Sequence, residues 1–298
     1  MRGLTVKELK RFKGLRGERL RVICLLRIME NEIITQTVKA LSTPESLKNL
    51  FPDKKDCQPL PSNELMQEVI ELARSILFPG YFGHSKVTKE NVGYFIGVSL
   101  ERFSSLLLKQ GICEDKVCTL VSKMPEIREL LAMDVEAAYN GDPAAMSYEE
   151  IICCYPVIRA LVNYRMAHVL YELDVPLIPR VMTELAHNET GIDIHPAAQI
   201  GHHFTIDHGT GVVIGATAII GNNVKLYQGV TLGALSFPLD ENGNPIKGIP
   251  RHPILEDDVI VYSNATILGR ITSGKGSVIG ANQWITQDVA PQSKIVNK

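Results

Sequence analysis

Residues 211–233 read GVVIGATAIIGNNVKLYQGVTLG, and along them aliphatic residues return at every sixth position. One series passes through Val212, Ala218, Val224 and Val230, and the same step leads back to Ile206, Ile200 and Ile194. A second lies two residues further on, at Ile214, Ile220, Leu226 and Leu232, with glycine repeatedly behind it at Gly215, Gly221 and Gly233. A helix repeats at 3.6 residues and an ordinary strand at 2, so a strict six fits neither. It fits a short strand plus a turn, three of which close one triangular coil of a parallel β-helix. The lattice resumes after an interruption with Val259, Ala265 and Ile271, accompanied by Val261, Ile267, Ile279 and Ile285. The repeat region therefore runs from Gly191 to Val289, each coil burying its aliphatic residues on its neighbours.

The interruption, residues 236–250, carries no lattice residues and has turn chemistry at Asn242-Gly243. It reads as a loop extruded from the coil, within a β-helix domain of residues 190–298. Residues 29–189 read as an α-helical domain. Ser62 caps an apolar run through Leu65, Val69, Leu72 and Ile76 that Pro79-Gly80 stops. Thr88 opens a second run, ended by Gly111. Two shorter helices are expected over 115–122 and 125–139, then a long one over 148–173 bent at Pro156. A last helix over 176–187 delivers the chain to the repeats. Residues 1–28 form a basic extension, with nine Lys/Arg against only Glu8 and Glu18. It lacks the serine of a transit peptide and reads as an exposed basic helix or an upstream translation start before Met29.

A chain of 298 residues is long enough for a large core and two structural parts. Its 45% hydrophobic and 21% charged content are ordinary for a globular protein, and a net charge of −2 gives no reason to expect nucleic acid. No apolar run reaches the roughly 18 residues of a membrane span. The six cysteines form no CxxC pair, which suits free thiols in a reducing, cytoplasmic setting.

Six of the eight histidines fall between residues 187 and 252. His202 and His208 take lattice positions that aliphatic residues hold later, which is costly unless the rings face a cleft. His208 sits in Asp207-His208-Gly209-Thr210-Gly211, where two glycines allow close backbone approach. Asp193 precedes it by 15 residues, and one coil of three hexads is 18, so the two are expected on consecutive rungs spaced by roughly 4.8 Å, three residues short of direct superposition. A carboxylate there fixes the tautomer of a general base. Arg251, at the base of the loop in Arg251-His252-Pro253, suits a bidentate grip on a carboxylate or phosphate.

The combination of Asp193-Ile194-His195-Pro196-Ala197-Ala198, Asp207-His208-Gly209-Thr210-Gly211 and Arg251-His252-Pro253 within hexapeptide repeats resembles serine O-acetyltransferase. The likeness spans about residues 135 to 289. It implies a left-handed parallel β-helix behind an N-terminal helical domain, assembled as a homotrimer or dimer of trimers with active sites between subunits. It also implies transfer of acetyl from acetyl-CoA to the hydroxyl of L-serine, without a metal. By the same resemblance His208 matches the catalytic base and Asp193 its carboxylate. Asp142 and Asp207 match groups that bind the serine amine, Arg251 the group that holds its carboxylate, and His252 a further substrate contact. Gly233, Ala234, Ser263 and Ala281 lie where the family lines its coenzyme A groove. L-Cysteine is implied as a feedback inhibitor. Three departures stand out, the basic extension before Met29 being one. Ala234-Leu235-Ser236-Phe237 replaces the usual glycine-rich loop, and the end Val296-Asn297-Lys298 lacks the terminal isoleucine that docks into O-acetylserine sulfhydrylase.

Three rival readings compete. A hexapeptide acyltransferase acting on a sugar, homoserine or an antibiotic is the first; a sugar enzyme would not need Asp142, Asp207 and Arg251 together, which suit an amino acid's ammonium and carboxylate. A zinc enzyme of the carbonic anhydrase type needs three converging histidines, whereas His202 and His203, as strand neighbours, would point to opposite faces. A non-catalytic scaffold leaves the conjunction of Asp193, His208 and Arg251 unexplained.

Overall fold

The computed structural model describes residues 32–42, 60–83 and 86–296. The basic segment 1–28, Cys24, Cys57 and the last two residues lie outside the described residues. The chain divides into two compact units, Met1–Gln58 and Pro59–Lys298. In the first the described element is helix α1, Glu32–Leu41.

The second unit opens with α2, Asn63–Leu77, capped as expected: the Ser62 hydroxyl accepts from the Leu65 N–H at 3.4 Å. Helix α3 starts at Val92 (Val92–Lys109) rather than at Thr88. Thr88 instead forms a turn, its N–H donating to Asn91 Oδ1 at 2.7 Å. The two short helices expected next are one, α4, Glu114–Gly141, running through Pro125. An internal proline costs about 3 kcal/mol. The buried stripe Leu120, Met124, Ile127 and Leu131 crosses it without interruption, and each such side chain contributes roughly 1.5–3 kcal/mol.

At Pro156 the opposite holds, and the expected bend is a break. Helix α5, Tyr148–Cys154, ends, Tyr155 is extended (φ −77°, ψ 124°), and α6, Pro156–Glu172, begins with the proline in its first turn. The residue before proline avoids helical backbone, and proline fits a helix start. Helix α7, Ile178–Thr190, stops at Gly191, whose φ of 72° is the left-handed cap. Among the described residues, no helix is long and apolar enough to cross a membrane.

Among the described residues fourteen short strands follow, wound as a parallel solenoid. Face A stacks β1 (Asp193–Ile194), β4 (Val213–Ile214), β7 (Thr231–Gly233), β10 (Thr266–Leu268) and β13 (Trp284–Ile285). Face B stacks β2 (Gln199–Ile200), β5 (Ile219–Ile220), β8 (Ile254–Leu255) and β11 (Thr272–Ser273). Face C stacks β3 (Thr205–Asp207), β6 (Lys225–Tyr227), β9 (Ile260–Val261), β12 (Val278–Ile279) and β14 (Lys294–Ile295). Inside, columns such as Ile194–Ile214–Leu232–Ile267–Ile285 and Ile206–Leu226–Val261–Ile279 run the length of the coil. Helices α2 to α7 and the solenoid share one hydrophobic core, so the change at residue 190 is one of secondary structure and not a gap in packing.

The registers correct the expected lattice in one respect. Thr266 pairs with Trp284, 18 residues on, but Asp193 pairs with Val213, 20 residues on. The first coil holds two extra residues, at the His208-Gly209 corner. The step of six from Ile206 to Val212 therefore crosses from one inward column to the other: Ile206 stacks on Leu226, and Val212 belongs with Ala218 and Val224. His202 and His208 consequently occupy corners rather than aliphatic lattice positions. Ile219 pairs with Ile254, 35 residues on; subtracting an 18-residue coil leaves 17, the length of the extruded segment. Its tip is a turn in which Asp240 Oδ1 accepts from the N–H groups of Asn242 and Asn244.

One buried ion pair ties the helices to the first coil. Arg165 on α6 donates from Nε and Nη2 to Asp134 on α4 at 2.8 and 2.9 Å, and from Nη2 to the Gly201 carbonyl at 3.0 Å. Asp134 in turn accepts from the Phe204 N–H at 3.0 Å.

Candidate active site

The sequence-predicted residues gather on two edges of the solenoid. On the edge where face C turns into face A, the chain doubles back at Asp207-His208-Gly209. The Gly209 N–H bonds the Asp207 carbonyl at 2.7 Å, and His208 is held at a φ of 59°. Left-handed backbone at a histidine is uncommon, and such strain concentrates at functional sites. Gly209 takes a φ of 88°, which strains any L side chain, and a Cβ there would also meet Ile192 Cδ1 at 2.5 Å. The His208 side chain is 73% exposed, and its Nε2 approaches Asp207 Oδ1 at 3.9 Å. Asp142, the residue that ends α4, reaches the same edge. It accepts from the Ala144 N–H at 2.8 Å and, through a short contact, from the Tyr155 hydroxyl. The Tyr155 bond, followed by the Ala144 N–H and nearby Lys225 and His208, holds the Asp142 carboxyl below the usual range. The same bond, with burial, raises the Tyr155 phenol, so it stays a donor.

On the edge where face A turns into face B, Arg251 and His252 close the extruded loop against Thr217. His252 Nδ1 faces the Thr217 N–H at 3.1 Å and the Thr217 hydroxyl at 2.9 Å. A backbone N–H can only donate, so Nδ1 is the acceptor and the neutral ring carries its proton on Nε2. The Thr217 oxygen accepts from the N–H groups of Arg251 and His252 at 2.9 and 3.1 Å. The ring lies on the Gly215 backbone, where a Cβ would meet its Cδ2 at 2.0 Å. Burial, then the charges of Arg251, His195 and Arg270, push the His252 imidazole down to about 4. Arg251 has a buried Nε without a partner among the described residues, a donor suited to a carboxylate. His195 shares this edge; its Nδ1 accepts from the Ala197 N–H at 3.0 Å, and burial, then Arg180, lowers its affinity for a proton.

A pH effect follows from His252. Its folded value of about 4 lies below its ordinary 6.5, so the unfolded chain takes up a proton here first. The stability contribution is complete above about 6.5 and is lost as pH falls towards 4. Urea midpoints between pH 7 and 4.5 are expected to fall more steeply for the parent protein than for His252→Gln; parallel profiles refute the assignment.

The two edges remain separate within one chain. Among the described residues, no hydrogen bond or ion pair joins Arg251 or His252 to Asp142, Asp207 or His208. Asp193 opens face A just past the His208 edge and falls five residues short of superposition on His208 rather than the expected three, because Val213 is its rung partner. Within the chain its carboxylate faces Arg180 at 3.5 Å rather than His208. Asp193, Glu184 and His187 form a three-ligand cluster whose polar atoms lie within 4.8 Å of one another. Arg180 contacts both carboxylates there and already supplies a positive charge. His202 and His203 are not strand neighbours facing opposite ways: they form a corner, with their Nδ1 atoms 2.7 Å apart. They sit where face B meets face C, on a different edge from His208, so the three histidines do not converge. Ser263 and Ala281 stack along the His208 edge, where Asn282 N–H bonds the Ser263 carbonyl at 3.0 Å and Asn264 N–H the Gln228 carbonyl at 2.9 Å. Gly233 and Ala234 lie on the Arg251 edge, at the end of β7.

Comparison with known proteins decides the family. No family model matches the chain. A serine acetyltransferase of Synechococcus elongatus is 48% identical over 260 residues, 80% of this chain and 82% of that protein. The chain belongs to the serine acetyltransferase family. A Bacillus licheniformis serine acetyltransferase is 44% identical over 168 residues, 56% of this chain and 74% of that protein. Among solved structures, Entamoeba histolytica serine acetyltransferase 1 in complex with L-cysteine superposes with a TM-score of 0.69 at 39% identity, over 80% of this chain and 88% of that one. Soybean serine acetyltransferase complexed with serine superposes with a TM-score of 0.55 at 30% identity, over 80% and 98%. The protein is thus an acyltransferase enzyme whose helices and solenoid are those of the serine acetyltransferases.

Of the residues gathered at these two edges, sequence reasoning misses Tyr155, Thr217 and Lys225. A tyrosine before a proline that breaks a helix is a faint signal for Tyr155. Thr217 and Lys225 stand at outward positions of ordinary hexads and carry none.

Proposed function

We propose that the protein transfers acetyl from acetyl-CoA to the L-serine hydroxyl at a site completed by two subunits. The observation that carries this is the division of the site residues: carboxylates and His208 on one edge, Arg251 and His252 on another. An amino acid needs both an anionic and a cationic subsite within a few ångströms. A neighbouring subunit presenting its Arg251 edge to the His208 edge of the first supplies them, as a closed ring of identical contacts does. Asp142 and Asp207 then receive the ammonium, Arg251 holds the carboxylate, and His252 donates from Nε2. L-Cysteine, which differs from serine only at the terminal atom, fits the same subsites and inhibits by occupying them.

His208 removes the serine hydroxyl proton, and the alkoxide attacks the thioester carbonyl directly. Collapse of the tetrahedral intermediate breaks the carbon–sulfur bond, and the imidazolium returns its proton to the departing thiolate. Asp193 stabilises that imidazolium by turning from Arg180 towards the ring. Coenzyme A lies along the His208 edge past Ser263 and Ala281, flanked by Gly233 and Ala234 of the adjoining edge. Ser263 and Ala281 fall two and three rungs from His208, roughly 10 and 14 Å at strand spacing.

Mixing inactive variants tests both halves. His208→Ala and Arg251→Ala, co-expressed, are expected to restore roughly a quarter of the sites by random assembly, read as thiol release from acetyl-CoA with L-serine. Asp193→Asn is expected to complement Arg251→Ala and not His208→Ala. Absence of any recovery sinks the shared site. Faster thiol release with homoserine than with serine would favour the other acceptor.

A further inference from the structure

Lys225 brings a cation into the carboxylate cluster. On face C it pairs in register with Thr205, while Tyr227 pairs with Asp207. Side chains two apart on a strand share a face, so Lys225 lies diagonally across from Asp207. Its Nζ reaches Asp207 Oδ2 at 3.4 Å and donates to the Gly141 carbonyl, beside Asp142, at 2.7 Å. It also sits 4.6 Å from the centre of the Tyr227 ring, which stacks on Tyr262 at 4.9 Å. The side chain is 15% exposed. Burial pulls its proton affinity down, but Tyr227 and Asp207 outweigh it and hold the ammonium above its ordinary value.

We propose that Lys225 is a positioning residue of the amine subsite, tying the end of α4 to the solenoid so that Asp142 and Asp207 stand at the spacing that receives one ammonium. The proposal rests on the reading that these two carboxylates bind the serine amine. Two unscreened carboxylates repel each other and leave a subsite with two negative charges. Lys225 reduces that to one, matching a single amino acid ammonium. The Tyr227 face, fixed by Tyr262, supports the ammonium from below as a cation–π partner. The tie spans 84 residues of sequence, from Gly141 on the helix to Lys225 on β6, so the helical part and the solenoid build the subsite jointly.

The test uses the full chain carrying Lys225→Met or Lys225→Gln. Losing one hydrogen bond of a charged group is expected to raise the serine KM about tenfold in the Met variant, with the acetyl-CoA KM changed less than about twofold on the same scale. The Gln variant, which keeps a donor but not the charge, is expected to fall between Met and the parent. A serine KM that is unchanged or lower in Lys225→Met overturns the proposal. So does a parallel rise of both KM values together with a lower Tm, the signature of a purely structural residue. Asp142→Asn and Asp207→Asn separate the two levels. If neither raises the serine KM, the amine-subsite reading itself fails. If they raise it and Lys225→Met does not, only the role of Lys225 falls.

Discussion

His208→Ala is expected to lower turnover about 10²- to 10⁴-fold, the usual contribution of a positioned general base. The serine and acetyl-CoA KM values should change far less, because the proposed reading gives binding to Asp142, Asp207, Arg251 and the solenoid edges. Folding should be unaffected. The side chain is 73% exposed, and alanine tolerates the left-handed backbone of this corner little worse than histidine does. His208→Gly, which relieves that backbone, is the control: it should be as inactive as the alanine variant. Steady-state kinetics with L-serine, with Tm measured in parallel, decides the matter. Turnover within about threefold of the parent would remove His208 from the chemistry, since no base contributes so little.

The largest expected effect on stability is that of Asp134→Ala, about 3–5 kcal/mol, because it strands the buried Arg165 guanidinium. Asp134 is fully buried and answers three donors: Arg165 Nε, Arg165 Nη2 and the Phe204 N–H. Its removal also leaves the Phe204 N–H of the first coil without its acceptor on α4. For a chain of this size the loss corresponds to a Tm lower by on the order of 10 °C, measurable by calorimetry. Burial pushes the Asp134 carboxyl up to about 6, against the pull of Arg165, so desolvation of this pair is costly. The double variant Asp134→Leu with Arg165→Met is therefore expected to recover most of the loss, as apolar replacement of a whole buried pair does. A single variant as stable as the parent would mean that the pair does not hold the helices to the coil.

The solenoid is legible because its inward columns must repeat: each coil rests on the last, so every sixth position meets the same apolar environment. That regularity also conceals one detail. The two residues inserted at His208-Gly209 preserve a step of six from Ile206 to Val212 while moving the chain from one column to the other. The strained corner thus passes for part of the lattice. In the helical part, proline has two outcomes that local rules do not separate. At Pro125 a continuous buried stripe on both sides carries the helix through. At Pro156 the chain breaks, and Tyr155 is freed to meet Asp142.

The amino-acid sequence by itself determines the coil, the extruded loop, the Ser62 cap and the candidate residues for the chemistry, because periodicity, turn chemistry and residue type are local properties. Only the tertiary structure decides that Asp142, Asp207 and His208 share one edge with Lys225 and Tyr155, that Arg251 and His252 share another with Thr217, and that Asp193 faces Arg180. Those placements depend on how α4 to α7 dock against the coil and on a two-residue shift in its first turn. Outward side chains repeat no pattern, and contacts spanning 84 residues leave no trace in the spacing of either partner.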